Sequence, residues 1–170
     1  MEHDDALRRA QDIMQHELRN EALLTQALTA AHRVELEDGH FQSFENNRRL
    51  AAFGEIVMKL VLTEDCLLRN HSGGMDLPWM LCASLDENIA ALSNLQIRLL
   101  SNHSLIVIAT QIGVDSCILR SERQGCLMAV PPDTQCTAVK AITGAVWRDT
   151  NGEQAITRDV IANLGVMDAL

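Results

Sequence analysis

Apolar residues recur along this chain at helical spacing almost from end to end, and the interruptions are short. Residues 4 to 18 form the first predicted helix. NEALLTQALTAA (20 to 31) forms the second, opened by Asn20 as N-cap. HRVELEDGHFQSFEN has no sustained period and carries the turn signal Asp38-Gly39, so it reads as a loop. A long helix follows from about Asn46 to Leu68. In it Leu50, Phe53, Val57 and Leu60 share one face, broadened by Ile56 and Val61, which predicts a buried or half-buried helix. Gly73, Gly74 and Pro78 in RNHSGGMDLP break that helix, and residues 79 to 99 resume the apolar pattern. SNHSLIVIATQIGV opens on Ser101 or Asn102 as a cap; its Ile-Val-Ile run has strand propensity, but the helix reading is preferred. The double proline of RQGCLMAVPPDTQ marks a loop, after which Asp133 or Thr134 caps a helix through Trp147. DTNGEQAI turns into a last helix ending near Gly165. The predicted class is all-α, with no repeat and no low-complexity segment.

One residue breaks this apolar regularity. In NRRLAAFGEIV (47 to 57) a single carboxylate, Glu55, stands beside glycine on a helix otherwise rich in apolar side chains. A charge so placed needs a partner, and Lys59, one turn on, is the local candidate.

Bulk numbers limit what Glu55 can belong to. With 170 residues, 47% of them hydrophobic, the chain suits one domain over residues 1–170 and a substantial core. No run approaches the roughly 18 to 20 uncharged apolar residues of a membrane helix. The N-terminus lacks an apolar core segment and is too acidic for a presequence, so the reading is cytoplasmic, with no membrane partner. The five cysteines, Cys66, Cys82, Cys117, Cys126 and Cys136, are odd in number and form no C-x-x-C pair. They read as small buried hydrophobes rather than as a structural zinc site or a disulfide framework. A formal charge of −9 argues against nucleic acid as partner, because polyanion binding rests on an excess of Lys and Arg.

The order of the blocks adds a resemblance. ALLTQALTAA, NRRLAAFGEIVMKLVL, LLSNHSLIVIATQIGVDSCI and TAVKAITGAVWRDTNGEQAI follow one another as in the ribonuclease III catalytic domain, which the chain resembles from end to end. Ser101, Asn102 and IGVD (112 to 115) match that family's serine-asparagine pair and its glycine-leucine-aspartate helix end. Its signature helix, N-E-R-L-E-F-L-G-D-A-V, lines up without a gap on Asn47 to Val57, and D-x-x-E-A-x-x-G-A-x-x-x-D lines up on Thr137 to Asp149. The resemblance is to short members lacking a double-stranded-RNA-binding domain. It implies a homodimer formed through the signature helix (46 to 68), and Mg²⁺-dependent cleavage of double-stranded RNA by four acidic residues.

Position by position, those four acids fall on Ala51, Glu55, Thr137 and Lys140, and only Glu55 remains acidic. One carboxylate is too few for an ion that gives up water reluctantly, and Lys140 sets a positive charge where the ion would sit. The chain therefore reads as a degenerate, metal-independent member with no metal and no cofactor. The family aromatic that packs into the partner subunit falls on Ala52, with Phe53 one place later. Arg48 replaces a further family acid, and Arg48 and Arg49 read as a solvated helix start.

Glu55, Lys140, His32 and His40 are the candidates for acid-base chemistry, the two histidines because they bracket the loop leading into the signature helix. The first functional reading is a pseudoenzyme: a non-hydrolytic homodimeric scaffold or regulatory protein. The alternatives are a repurposed enzyme acting on a small molecule in the former ribonuclease cleft, and residual binding or processing of double-stranded RNA.

Overall fold

A computed structural model of the chain describes residues 3–30, 33–35, 41–43, 46–71, 85–120 and 129–167. Its helices are α1 (His3–Met14), α2 (Glu21–Leu28), α3 (Arg48–His71), α4 (Leu85–Leu99), α5 (Asn102–Gln111), α6 (Pro132–Asp149) and α7 (Gln154–Asn163). A 3₁₀ turn, Val114–Cys117, follows α5. The all-helical expectation holds, with one addition. Strands β1 (Arg33–Glu35) and β2 (Phe41–Ser43) pair antiparallel in what was expected to be a loop, Val34 opposite Gln42. Strands of three residues are too short for alternation to reveal, and Asp38 and Gly39 lie outside the described residues.

Local chemistry sets the helix ends. Asn20 caps α2 by accepting the Ala22 N–H, and Asn46 Oδ1 accepts the Arg48 N–H at the start of α3. Ser101 caps α5 through the Ser104 N–H, and the Ile-Val-Ile run is helical. Two ends differ from expectation. α1 stops at Met14, because Gln15 turns left-handed (φ 52°) and the His16 N–H closes on the Gln11 carbonyl. α6 starts at Pro132 rather than behind an Asp133 or Thr134 cap; a proline's missing N–H costs nothing in the first turn, and Pro131 O accepts from Thr134 and Gln135.

The core is organised around α6, whose residues Ala138, Val139 and Ala141 to Val146 are all buried. It touches α2, α3, α5, α7 and the 3₁₀ turn, which is why its sequence is apolar nearly all round. α3 lies along it at backbone contact. A Cβ on Gly54 would stand 1.8 Å from the Lys140 carbonyl oxygen, and one on Gly144 would stand 2.4 Å from that of Leu50. At those two positions only glycine permits the approach. The expected single apolar face of α3 is thereby divided. Leu50, Val57 and Val61 are buried against α6 and its neighbours, while Phe53, Ile56 and Leu60 face outward. No described helix is long and apolar enough to cross a membrane. Cys66, Cys117 and Cys136 are buried; Cys82 and Cys126 lie outside the described residues.

Candidate functional site

The close passage of α3 and α6 decides which side chains meet. Gly54 rests on the Lys140 carbonyl, so the next residue, Glu55, emerges beside the Lys140 side chain. Lys140 Nζ donates to Glu55 Oε2 at 2.9 Å and to Asn102 Oδ1 at 3.1 Å. Lys59 Nζ, one turn along α3, donates to Glu55 Oε1 at 2.9 Å. Each oxygen of Glu55 therefore faces an ammonium. The Lys140 side chain is 13% exposed and that of Glu55 35%, so the pair sits at the mouth of the helix seam rather than in the core. Hydrogen bonds from Lys59 and then Lys140 hold the Glu55 carboxyl below its ordinary value, outweighing the opposing effect of burial.

Asn102 and Cys136 extend the cluster. Cys136 lies one turn before Lys140 on α6, with Sγ 3.6 Å from Asn102 Oδ1. Burial pushes its thiol up, which keeps it protonated and unreactive. Neither residue stood among the candidates from the sequence. The available signal was the ambiguity between Ser101 and Asn102: once Ser101 takes the cap, the Asn102 side chain is left to serve elsewhere.

The remaining candidate positions are placed as follows. Ala51 is buried and offers no donor atom. Thr137 lies on α6 and turns its hydroxyl to the Asp133 carbonyl at 2.7 Å. His32 and His40 lie outside the described residues. A divalent cation of the Mg²⁺ type needs several oxygen ligands, and here one carboxylate is already shared between two ammoniums, so this donor set does not fit it. No group of three His, Cys, Asp or Glu side chains able to hold an ion gathers among the described residues.

The geometry can be set against known proteins. The chain is similar to the 2.2 Å crystal structure of the nuclease domain of ribonuclease III from Campylobacter jejuni, at 22% identity and a TM-score of 0.65, over 96% of this chain and 95% of that one. This is a ribonuclease III nuclease-domain fold. A second structure of the Campylobacter jejuni domain, concerned with structural flexibility in the region involved in its dimer formation, matches at 23% identity and a TM-score of 0.64, over 93% and 94% of the two chains. No family model and no curated protein matches the sequence. Within the ribonuclease III-type fold of this chain, Asp149 at the end of α6 serves a structural purpose. Its carboxylate accepts the Arg19 and Asn20 N–H groups at 2.9 and 2.8 Å, fixing the start of α2.

Proposed function

We propose that this protein is a non-hydrolytic homodimer of ribonuclease III fold, serving as a scaffold or regulatory subunit. The observation that carries the reading is the contact between Lys140 and Glu55. In this reading Ala51, Glu55, Thr137 and Lys140 are the positions of a former metal site, and an ammonium borne by the chain stands where a cation was once recruited. The electrostatic need of Glu55 is met internally, without an exchangeable ligand. An acid-base role in a repurposed enzyme is disfavoured by the same contact, because a carboxylate held low by two lysines is a weak proton acceptor near neutral pH. The net charge of −9 disfavours double-stranded RNA as a ligand.

Incubation with double-stranded RNA in Mg²⁺ or Mn²⁺ should leave the RNA intact; cleavage that disappears in Glu55→Ala would overturn the reading. The inherited-site part has its own test. The combined variant Ala51→Glu, Thr137→Asp and Lys140→Glu should bind Mg²⁺ by calorimetry where the wild type does not. A folded variant with no Mg²⁺ binding would show that these four positions never formed a metal site.

A further inference from the structure

A concave site lies apart from the Glu55 cluster. Gln26 of α2, Arg49, Leu50 and Phe53 of α3, and Arg148 of α6 line a pocket of about 340 Å³. Arg49 and Phe53 are one helical turn apart and so share a face; Arg148 reaches the pocket from the last turn of α6. No acidic side chain among the described residues lines it. Among the described residues neither arginine is in an ion pair, although the chain carries 23 acidic against 14 basic side chains. The carboxylate next in sequence, Asp149, is occupied by the Arg19 and Asn20 N–H groups. Two guanidiniums from different helices thus line one pocket where no carboxylate among the described residues answers them.

We propose that this pocket binds a small aromatic anion: its phosphate or carboxylate group lies between Arg49 and Arg148, and its ring lies on Phe53 and Leu50. The guanidinium fork matches the oxygens of either group bidentately, which a lysine cannot do. Phe53, 37% exposed, supplies a planar apolar wall, and Gln26 supplies both a donor and an acceptor for a polar substituent. The lining is mainly polar with one exposed aromatic wall, a composition that suits a charged ring rather than an apolar ligand, and the volume lies near the lower end of the about 300 to 1,000 Å³ range of small-molecule sites. The site needs neither the Glu55–Lys140 contact nor a dimer.

Calorimetry on the full chain with phenyl phosphate, benzoate and inorganic phosphate tests this, with sedimentation run in the same buffers. Phenyl phosphate or benzoate should bind saturably, one per chain, and the tighter of the two identifies the anionic group. Arg49→Gln and Arg148→Gln should each weaken that binding roughly tenfold or more, while Arg98→Gln, on α4, should not. Phe53→Ala should weaken the aromatic probe and leave inorganic phosphate unchanged. All four side chains are at least partly exposed, so folding should survive in each variant. Absence of saturable binding by any probe would overturn the proposal, as would affinity unchanged in both arginine variants. Displacement of phenyl phosphate by double-stranded RNA at equal phosphate concentration would replace it with a backbone-phosphate subsite. Loss of a dimer in the arginine variants with no probe bound would reassign the arginines to an acid on the second copy.

Discussion

Glu55 stands between two cations, and that fixes what its removal should do. Glu55→Gln leaves Lys59 and Lys140 facing each other with no countercharge, and Lys140 is too buried to turn freely to water. Lys140→Met is milder, because Lys59 still pairs with Glu55. Glu55 is partly solvated, so the cost of Glu55→Gln should fall between that of surface and buried pairs, about 1 to 2 kcal/mol by urea unfolding at pH 7. The double variant Glu55→Gln with Lys140→Met should recover part of that loss; additive effects would mean that the contact carries no energy. The pH dependence has a definite sign. Because the folded carboxyl titrates below its ordinary 4.5, its contribution is present above that value and lost as pH falls through the folded value. The gap between wild type and Glu55→Gln should therefore close on acidification below about 4.5 and stay level between pH 6 and 8. In the sequence, the Lys59 partner followed from helical spacing alone, and Lys140 was reached through the aligned blocks. Asn102 was hidden because a cap and a contact from the next residue look alike until the helix start is fixed.

α3 and α6 were legible as helices from their periodicity, yet the way they meet was not, since periodicity reports which face is apolar and not how close two backbones come. Gly54 and Gly144 carry that information. Gly54→Ala would drive a methyl into the Lys140 carbonyl, which side-chain repacking cannot relieve because the obstacle is backbone. It should cost about 3 kcal/mol or more, at or above the upper end of ordinary overpacking, and should lower the thermal midpoint accordingly. Spreading the helices would also draw Lys140 from Glu55. An alanine variant as stable as wild type would show that α3 and α6 do not touch as described. The hairpin of β1 and β2 escaped notice for a different reason: three residues per strand cannot show a period, and the Asp-Gly signal fits a hairpin and a plain loop equally.

At the scale of the whole molecule, the division of α3 leaves Phe53, Ile56 and Leu60 outward, 37%, 65% and 48% exposed, with Ile97 of α4 also 65% exposed. Ile56 and Leu60 lie one turn apart on one side of the helix and form the stripe, while Phe53, one turn before Ile56, lines the arginine pocket. Helical spacing placed these residues on an apolar face but could not separate the part that α6 covers from the part that the chain leaves bare. If the stripe is the homodimer face, a two-fold axis makes every substitution count twice. Ile56→Glu would forfeit the burial of one isoleucine per protomer, about 1.5 to 3 kcal/mol each, and would set two like charges close to the axis. The dissociation constant should rise by roughly two to four orders of magnitude. Sedimentation at tens of micromolar should show a dimer for the wild type and a monomer for Ile56→Glu, with an unchanged far-ultraviolet dichroism spectrum because this side chain supports no intrachain core. A wild-type monomer at that concentration would remove the dimer from the proposed function. It would leave the Glu55–Lys140 contact and the arginine pocket as they are, because both are built within one chain.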